Sequence, residues 1–301
     1  MLNFADRPYR YYPPKPNWLV HRIGCWLNRS RYLPGEQHRI SSVTVINPEV
    51  VRNLKDARLL FLPNHSTHSD AQIIIETLRQ VGVWAFCMAA YDVFERNALH
   101  AWVIQRMGGF SVDRDGSDKQ SLKQAIATLA GGRHALTIFP EGNVLLMNDR
   151  VTPFLDGPAY IALKAQQQLG EGSPVLAVPV AIKATHTGDV RATLRSTLLE
   201  MAAVLDVDLE KDEPIVSAVY QVGLAMLRRN LRQRGFMPPD ADWDDLPGVL
   251  HGAAGLVIEG LEAKMELSSK SDDQVDRIRA IRREVHRIRT DPAREIDHPV
   301  A

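Results

Sequence analysis

Between residues 40 and 185 the chain alternates short apolar runs with longer stretches whose apolar positions recur every three to four residues. RLLFLP (58–63), VWAFCMA (83–89), HALTIFP (134–140) and PVLAVPVAIK (174–183) are nearly continuous apolar runs, and FSVDR (110–114) is a shorter one. Runs of this length and composition predict strands buried on both faces. VTVIN (43–47) predicts one strand more. DAQIIIETLRQVG (70–82), AYDVFERNALHAWVIQRMGG (90–109), DKQSLKQAIATLAGG (118–132) and PAYIALKAQQQLG (158–170) each hold a helical period that ends on glycine. The alternation predicts an α/β fold with a mixed, largely buried β-sheet flanked by helices. After residue 186 the strand signal fades, and 194–205, 214–235, 246–267 and 272–290 read as a helical C-terminal extension. The last of these sets Val275, Ile278, Ile281, Val285 and Ile288 on one stripe amid dense mixed charge, as a surface or self-associating helix would.

The N-terminal stretch differs from both. Pro13, Pro14 and Pro16 keep it extended. From Asn17, a suitable N-cap, Leu19, Val20, Ile23, Trp26 and Leu27 fall on one helical face, and Pro34-Gly35 ends the pattern. The expected organisation is a basic aromatic segment at 1–39, a core at 40–185 and a helical extension at 186–301.

Composition narrows the classes. Lys plus Arg and Asp plus Glu both number 36 among 301 residues. A balanced charge argues against a general nucleic-acid binder, so no nucleic-acid partner is expected. Residues 1–39 depart from that balance, with seven basic residues against two acidic ones and seven of the twenty aromatics. The two cysteines, Cys25 and Cys87, match no metal or disulfide spacing, which favours a reducing compartment. No apolar run reaches the ~18 residues of a membrane-spanning helix, and the first residues lack the apolar core of a signal peptide.

Candidate chemistry sits at the ends of the apolar runs. His65 and Asp70 follow the first run, where α/β folds place ligands and catalysis. A carboxylate accepting from one imidazole nitrogen would leave the other as a base. The competing reading is that Asn64, Ser66, Ser69 and Asp70 only cap a helix. Pro140-Glu141-Gly142 turns at the end of another run, on what would be the same rim in a parallel sheet, or is an ordinary turn. In GGFSVDRD (108–115) the glycines allow close backbone approach and Arg114 could clamp a phosphate, or be merely solvated. Pro179 interrupts the last strand, which places it near an edge or bulge.

Taken together, HSTHSD (H-x4-D), GFSVDR (G-x4-R), FPEGN (F-P-E-G) and VPVAI resemble, in order and separation, the motifs of the phospholipid/glycerol acyltransferase superfamily. The resemblance covers residues 40–185, about half the chain. It implies a glycerolipid acyltransferase-like fold and an enzyme that moves a fatty acyl group from an acyl thioester to a hydroxyl of a lysophospholipid or related glycerolipid. It implies His65 as general base and Asp70 as its orienting partner. It implies acceptor binding by Gly109, Arg114, Glu141 and Gly142, and a structural or acyl-donor role for Pro140 and Pro179. The donor would be acyl-CoA or acyl carrier protein as co-substrate, with no other cofactor and no metal.

The chain departs from the pattern where many such enzymes read F-P-E-G-T-R, because Asn143 and Val144 stand in place of Thr-Arg. Arg150 in NDRVTPF could return that charge to the acceptor from another direction. Two alternatives remain open. One is a non-enzymatic lipid-binding protein on the same fold. The other is a metal-dependent hydrolase using His65, His68 and Asp70, since H-x-x-H-x-D approaches the H-x-H-x-D-H of metallo-β-lactamase-like enzymes. Amphiphilic substrates require access to an interface, and residues 1–33 offer one. The expected location is cytoplasmic, peripheral on the inner face of the membrane.

Overall fold

In the computed structural model the structure describes residues 9–54, 57–113, 118–150, 152–268 and 271–290. Strands β1 (Arg58–Pro63), β2 (Ala85–Ala90), β3 (Gly109–Val112), β4 (Ala135–Thr137) and β5 (Val175–Val180) form one sheet in the order β3-β2-β4-β1-β5. Every pairing is parallel, with Leu60 beside Leu136 and Leu62 beside Pro179.

The mixed sheet expected from the sequence is therefore parallel throughout among the described residues. The strand expected at 43–47 does not form either. That segment is irregular, and the Val43 carbonyl accepts from the Gln80 side chain at 2.9 Å. Asn47, in the left-handed conformation (φ 57°), turns the chain into α2 (Pro48–Arg52). A side chain, rather than a neighbouring strand, thus takes up this backbone.

Connection order decides which face each helix covers. The chain leaves β1 through α3 (Asp70–Val81) for β2, then reaches β3 through α4 (Asp92–Glu95) and α5 (Ala98–Arg106). These crossovers run toward the β3 edge. The connections through α6 (Lys119–Gly131) to β4 and α7 (Gly157–Leu169) to β5 run the other way. Right-handed crossovers in opposite directions put helices on opposite faces. Accordingly Ile74, Leu78 and Val81 of α3 pack on Leu59 and Phe61. Ala125 and Leu129 of α6 and Ile161 and Ala165 of α7 pack on Leu60, Leu136 and Ile138. Alternate residues of β1 thus serve the two cores. The chains leaving the C-terminal ends of adjacent strands β1 and β4 thus pass to opposite faces of the sheet.

Residues 9–17 run beside β3 and α5. Ser111 N–H donates to the Tyr12 carbonyl (3.1 Å), and the Gln105 side chain donates to the Pro13 carbonyl (2.7 Å). Helix α1 (Trp18–Leu27), capped by Asn17, then packs against α5 and α3. It docks through His21, stacked on Trp84 at 4.2 Å, through buried Cys25, and through Asn28, which donates to the Gln72 carbonyl (2.8 Å). The single apolar face expected for this helix is divided. Val20 and Leu27 are half-buried, whereas Leu19, Ile23 and Trp26, together with Trp18, point to solvent.

The chain divides into two compact units after Ala184. In the second, α8 (Arg191–Leu205) and α9 (Ile215–Arg234) meet at Leu198, Ala202, Ala218 and Val222. In α10 (Leu246–Met265) Glu262 accepts two bonds from Arg277 of α11 (Gln274–Thr290), at 3.0 and 2.6 Å. On α11 Ile281 is buried while Val275 and Ile278 are exposed. No helix among the described residues is long and apolar enough to cross a membrane.

Candidate active site

Where β1 ends at Pro63, Asn64 latches the chain to the end of β5. Its amide donates to the Ile182 carbonyl (3.0 Å) and its carbonyl accepts from Ile182 N–H (2.6 Å). His65 follows at once, on the C-terminal rim of the sheet. Its N–H donates to Glu141 Oε1 (2.9 Å) and its carbonyl accepts from Leu145 N–H (3.2 Å). Both polar groups of the His65 backbone are thus held.

The side chain is oriented as well. His65 Nδ1 lies 3.0 Å from Asp70 Oδ2, and Asp70 is fully buried. The carboxylate accepts Thr67 N–H on Oδ2 (2.8 Å) and Thr67 Oγ1–H on Oδ1 (2.8 Å). Because an ionised carboxylate only accepts, Nδ1 carries the proton in this pair, and Nε2 is left as the basic nitrogen. A buried carboxylate needs such donors. Asp70 also opens α3, where a negative charge is favoured. Asp70 Oδ2 thus holds the turn, through Thr67 N–H, and faces the imidazole at the same time.

Glu141, which follows the end of β4 on the same rim, is 7% exposed. Burial alone would raise its pKa. Hydrogen bonds from His65 N–H and from Thr152, whose hydroxyl reaches Oε2 at 2.7 Å, outweigh that effect and hold the carboxyl below its usual range. Pro140 is fully buried, and its carbonyl accepts Leu155 N–H (2.9 Å). Gly142 adopts φ 72°, and a Cβ there would lie 2.7 Å from Leu155 Cδ1, so this turn requires glycine.

His65, Asp70, Glu141 and Gly142 therefore come together. Other expected residues do not join them. Gly109 begins β3 beside Cys87 of β2, two strands from β1, and a Cβ there would strike Ile104 (2.3 Å), so close packing requires glycine. Pro179 sits exposed in edge strand β5, where a missing N–H is tolerated. Arg150 is exposed, and Arg114 lies outside the described residues. His68 is exposed, and among the described residues no group of three His, Cys, Asp or Glu side chains is arranged to hold a metal ion.

Sequence reasoning missed Thr152, Thr67 and the Phe139 ring, which stacks on His65. Only Thr67 had a readable signal, as a hydroxyl residue entering a helix. Neither cysteine is poised as a nucleophile. Burial pushes the Cys87 thiol up to about 11 and raises that of Cys25. Surface hollows at Tyr160 and Leu163 on α7 and at Arg228 and Arg232 on α9 include neither His65 nor Glu141.

A family model described as Acyltransferase matches residues 42–183. No curated protein and no solved structure shows a significant match to the chain.

Proposed function

Residues 42–183 belong to the acyltransferase family, and from that premise we propose that the protein transfers a fatty acyl group from acyl-CoA or acyl carrier protein to a hydroxyl of a lysophospholipid or related glycerolipid. The observation that carries the reading is the 3.0 Å contact between His65 Nδ1 and fully buried Asp70 just beyond the C-terminal end of β1. An alcohol is a poor nucleophile near neutral pH. His65 Nε2 takes the hydroxyl proton as the oxygen attacks the thioester carbonyl. The tetrahedral intermediate collapses, the C–S bond breaks, and the leaving thiolate recovers the proton from His65. A base positioned in this way typically contributes ~10²–10⁴-fold. No acyl-enzyme is required.

The acceptor's phosphate, where there is one, meets Arg150 or Arg114, since Asn143 and Val144 supply no cation. Peripheral membrane docking through residues 1–33 is part of the same proposal. Trp18 is 61% and Trp26 65% exposed, Leu19 and Ile23 lie beside them, and Arg22 stacks over Trp18 at 4.9 Å. Indole rings with flanking arginines suit an anionic bilayer surface.

The test is thiol release from acyl-CoA and from acyl carrier protein against a panel of lysolipids and simple alcohols. Release that depends on a lysolipid and vanishes in His65→Ala supports the reading. Release that is independent of every acceptor, or that survives His65→Ala, overturns it.

A further inference from the structure

Glu141 has its carboxylate turned inward. Oε1 accepts His65 N–H at 2.9 Å, and Oε2 accepts Thr152 twice, from the hydroxyl at 2.7 Å and from N–H at 3.3 Å. A group that bound the acceptor would present its oxygens outward, whereas these meet the protein's own donors and the residue is only 7% exposed. The described residues between Asn143 and Asp156 form no helix or strand, yet they return to the site repeatedly. Leu145 N–H reaches the His65 carbonyl (3.2 Å), Leu155 N–H reaches that of Pro140 (2.9 Å), and Thr152 reaches Glu141. The peptide of His65 is thus clamped from both sides by the chain that follows β4.

We infer that Thr152 is a positioning residue for His65, acting through Glu141. The Thr152 hydroxyl fixes the Glu141 carboxylate, the carboxylate fixes the His65 N–H, and the backbone angle so set aims the imidazole for the proton transfer. Catalytic groups must be held to within about 0.5 Å, and supporting hydrogen bonds supply that restraint. A misplacement of about 1 Å at a catalytic group can cost ~10²-fold. The inference rests on His65 being the base, and it moves Glu141 from acceptor binding to positioning.

Thr152→Val keeps the shape and deletes the donor. Its kcat should fall about tenfold, with KM for donor and acceptor unchanged within about twofold. Thr152→Ser should restore kcat, and Thr152→Ala takes the place of Val if that variant does not fold. In a Glu141→Gln background Thr152→Val should cost much less than it does alone, because the two act as one unit. Hydrogen exchange at the His65 amide, measured without substrate, should quicken in Thr152→Val and Glu141→Gln and return in Thr152→Ser. A raised acceptor KM with kcat kept would return Glu141 to the acceptor and overturn the inference. Unchanged kinetics with unchanged exchange would overturn it as well. If the wild-type protein transfers no acyl group, the proposed function fails, and the exchange measurement still decides whether the brace exists.

Discussion

Phe139 lies against the His65 imidazole, ring centroids 4.2 Å apart and planes inclined by 26°. Two residues later the same segment gives Glu141, which holds the His65 backbone. One strand end therefore restrains both the ring and the peptide of the proposed base. Phe139→Ala should lower kcat at least tenfold and cost about 2–3 kcal/mol of stability, less than a fully buried ring because Phe139 is half-buried. Denaturant unfolding beside steady-state kinetics separates the two effects. Full activity in a destabilised Phe139→Ala would show that the stack serves only the fold.

Asp70→Asn keeps the volume and removes the charge. Its amide can donate to Nδ1 and favour the tautomer with the proton on Nε2, the nitrogen that must accept. Activity should drop by ~10³–10⁴-fold, as it does when the carboxylate is neutralised in a serine-protease triad. His68→Ala, at an exposed position, should change kcat by less than about twofold. Equal loss in His68→Ala and His65→Ala, with zinc in the purified protein, would point to the metal-dependent alternative.

Stability should weaken on mild acidification through the contact that docks α1. His21 stacks on Trp84, and Trp84 meets His134 at 4.6 Å. Burial first, then the positive charge of His134 for His21 and of Arg133 for His134, holds both imidazoles below their usual range. The unfolded chain, titrating near ~6.5, takes up these protons before the folded one. Stability should therefore fall as pH drops through about 6.5 and level off below the folded-state values. Thermal melts between pH 7.5 and 5 should show the decline. His21→Phe, which keeps a ring against Trp84, should shrink it, and an undiminished decline would clear His21 of the effect.

The outward side of α1 can be altered without touching the core. Trp26→Ala and Ile23→Asp change residues 65% and 48% exposed, so stability should stay within about 0.5 kcal/mol of wild type. Sedimentation with anionic vesicles should weaken at least tenfold for the pair, and added salt should weaken the wild type. Undiminished sedimentation of the double variant would remove α1 as the anchor.

How much of this was legible follows from physical range. RLLFLP announced β1 because a strand covered on both faces must be apolar throughout, and the parallel rim then placed Glu141 near His65. VTVIN carried the same local signal and formed no strand, because sequence does not say whether a partner strand or the Gln80 amide takes its backbone bonds. The periodicity of α1 identified a helix, but which apolar side would dock was decided by Trp84 and Gln72, far away in the chain. Thr152 gave no signal, being one hydroxyl in an irregular segment whose only mark is where its partner lies.

The latch between Asn64 and Ile182 joins positions 118 residues apart in sequence. A nascent chain that ends before Ile182 already contains His65, Asp70 and Glu141, yet lacks the backbone groups that pin Asn64 beside them. That last restraint on the turn therefore waits until β5 has emerged and docked. A fragment cut at the end of α7, with His65, Asp70 and Glu141 all present, should bind no better than an unfinished translation product.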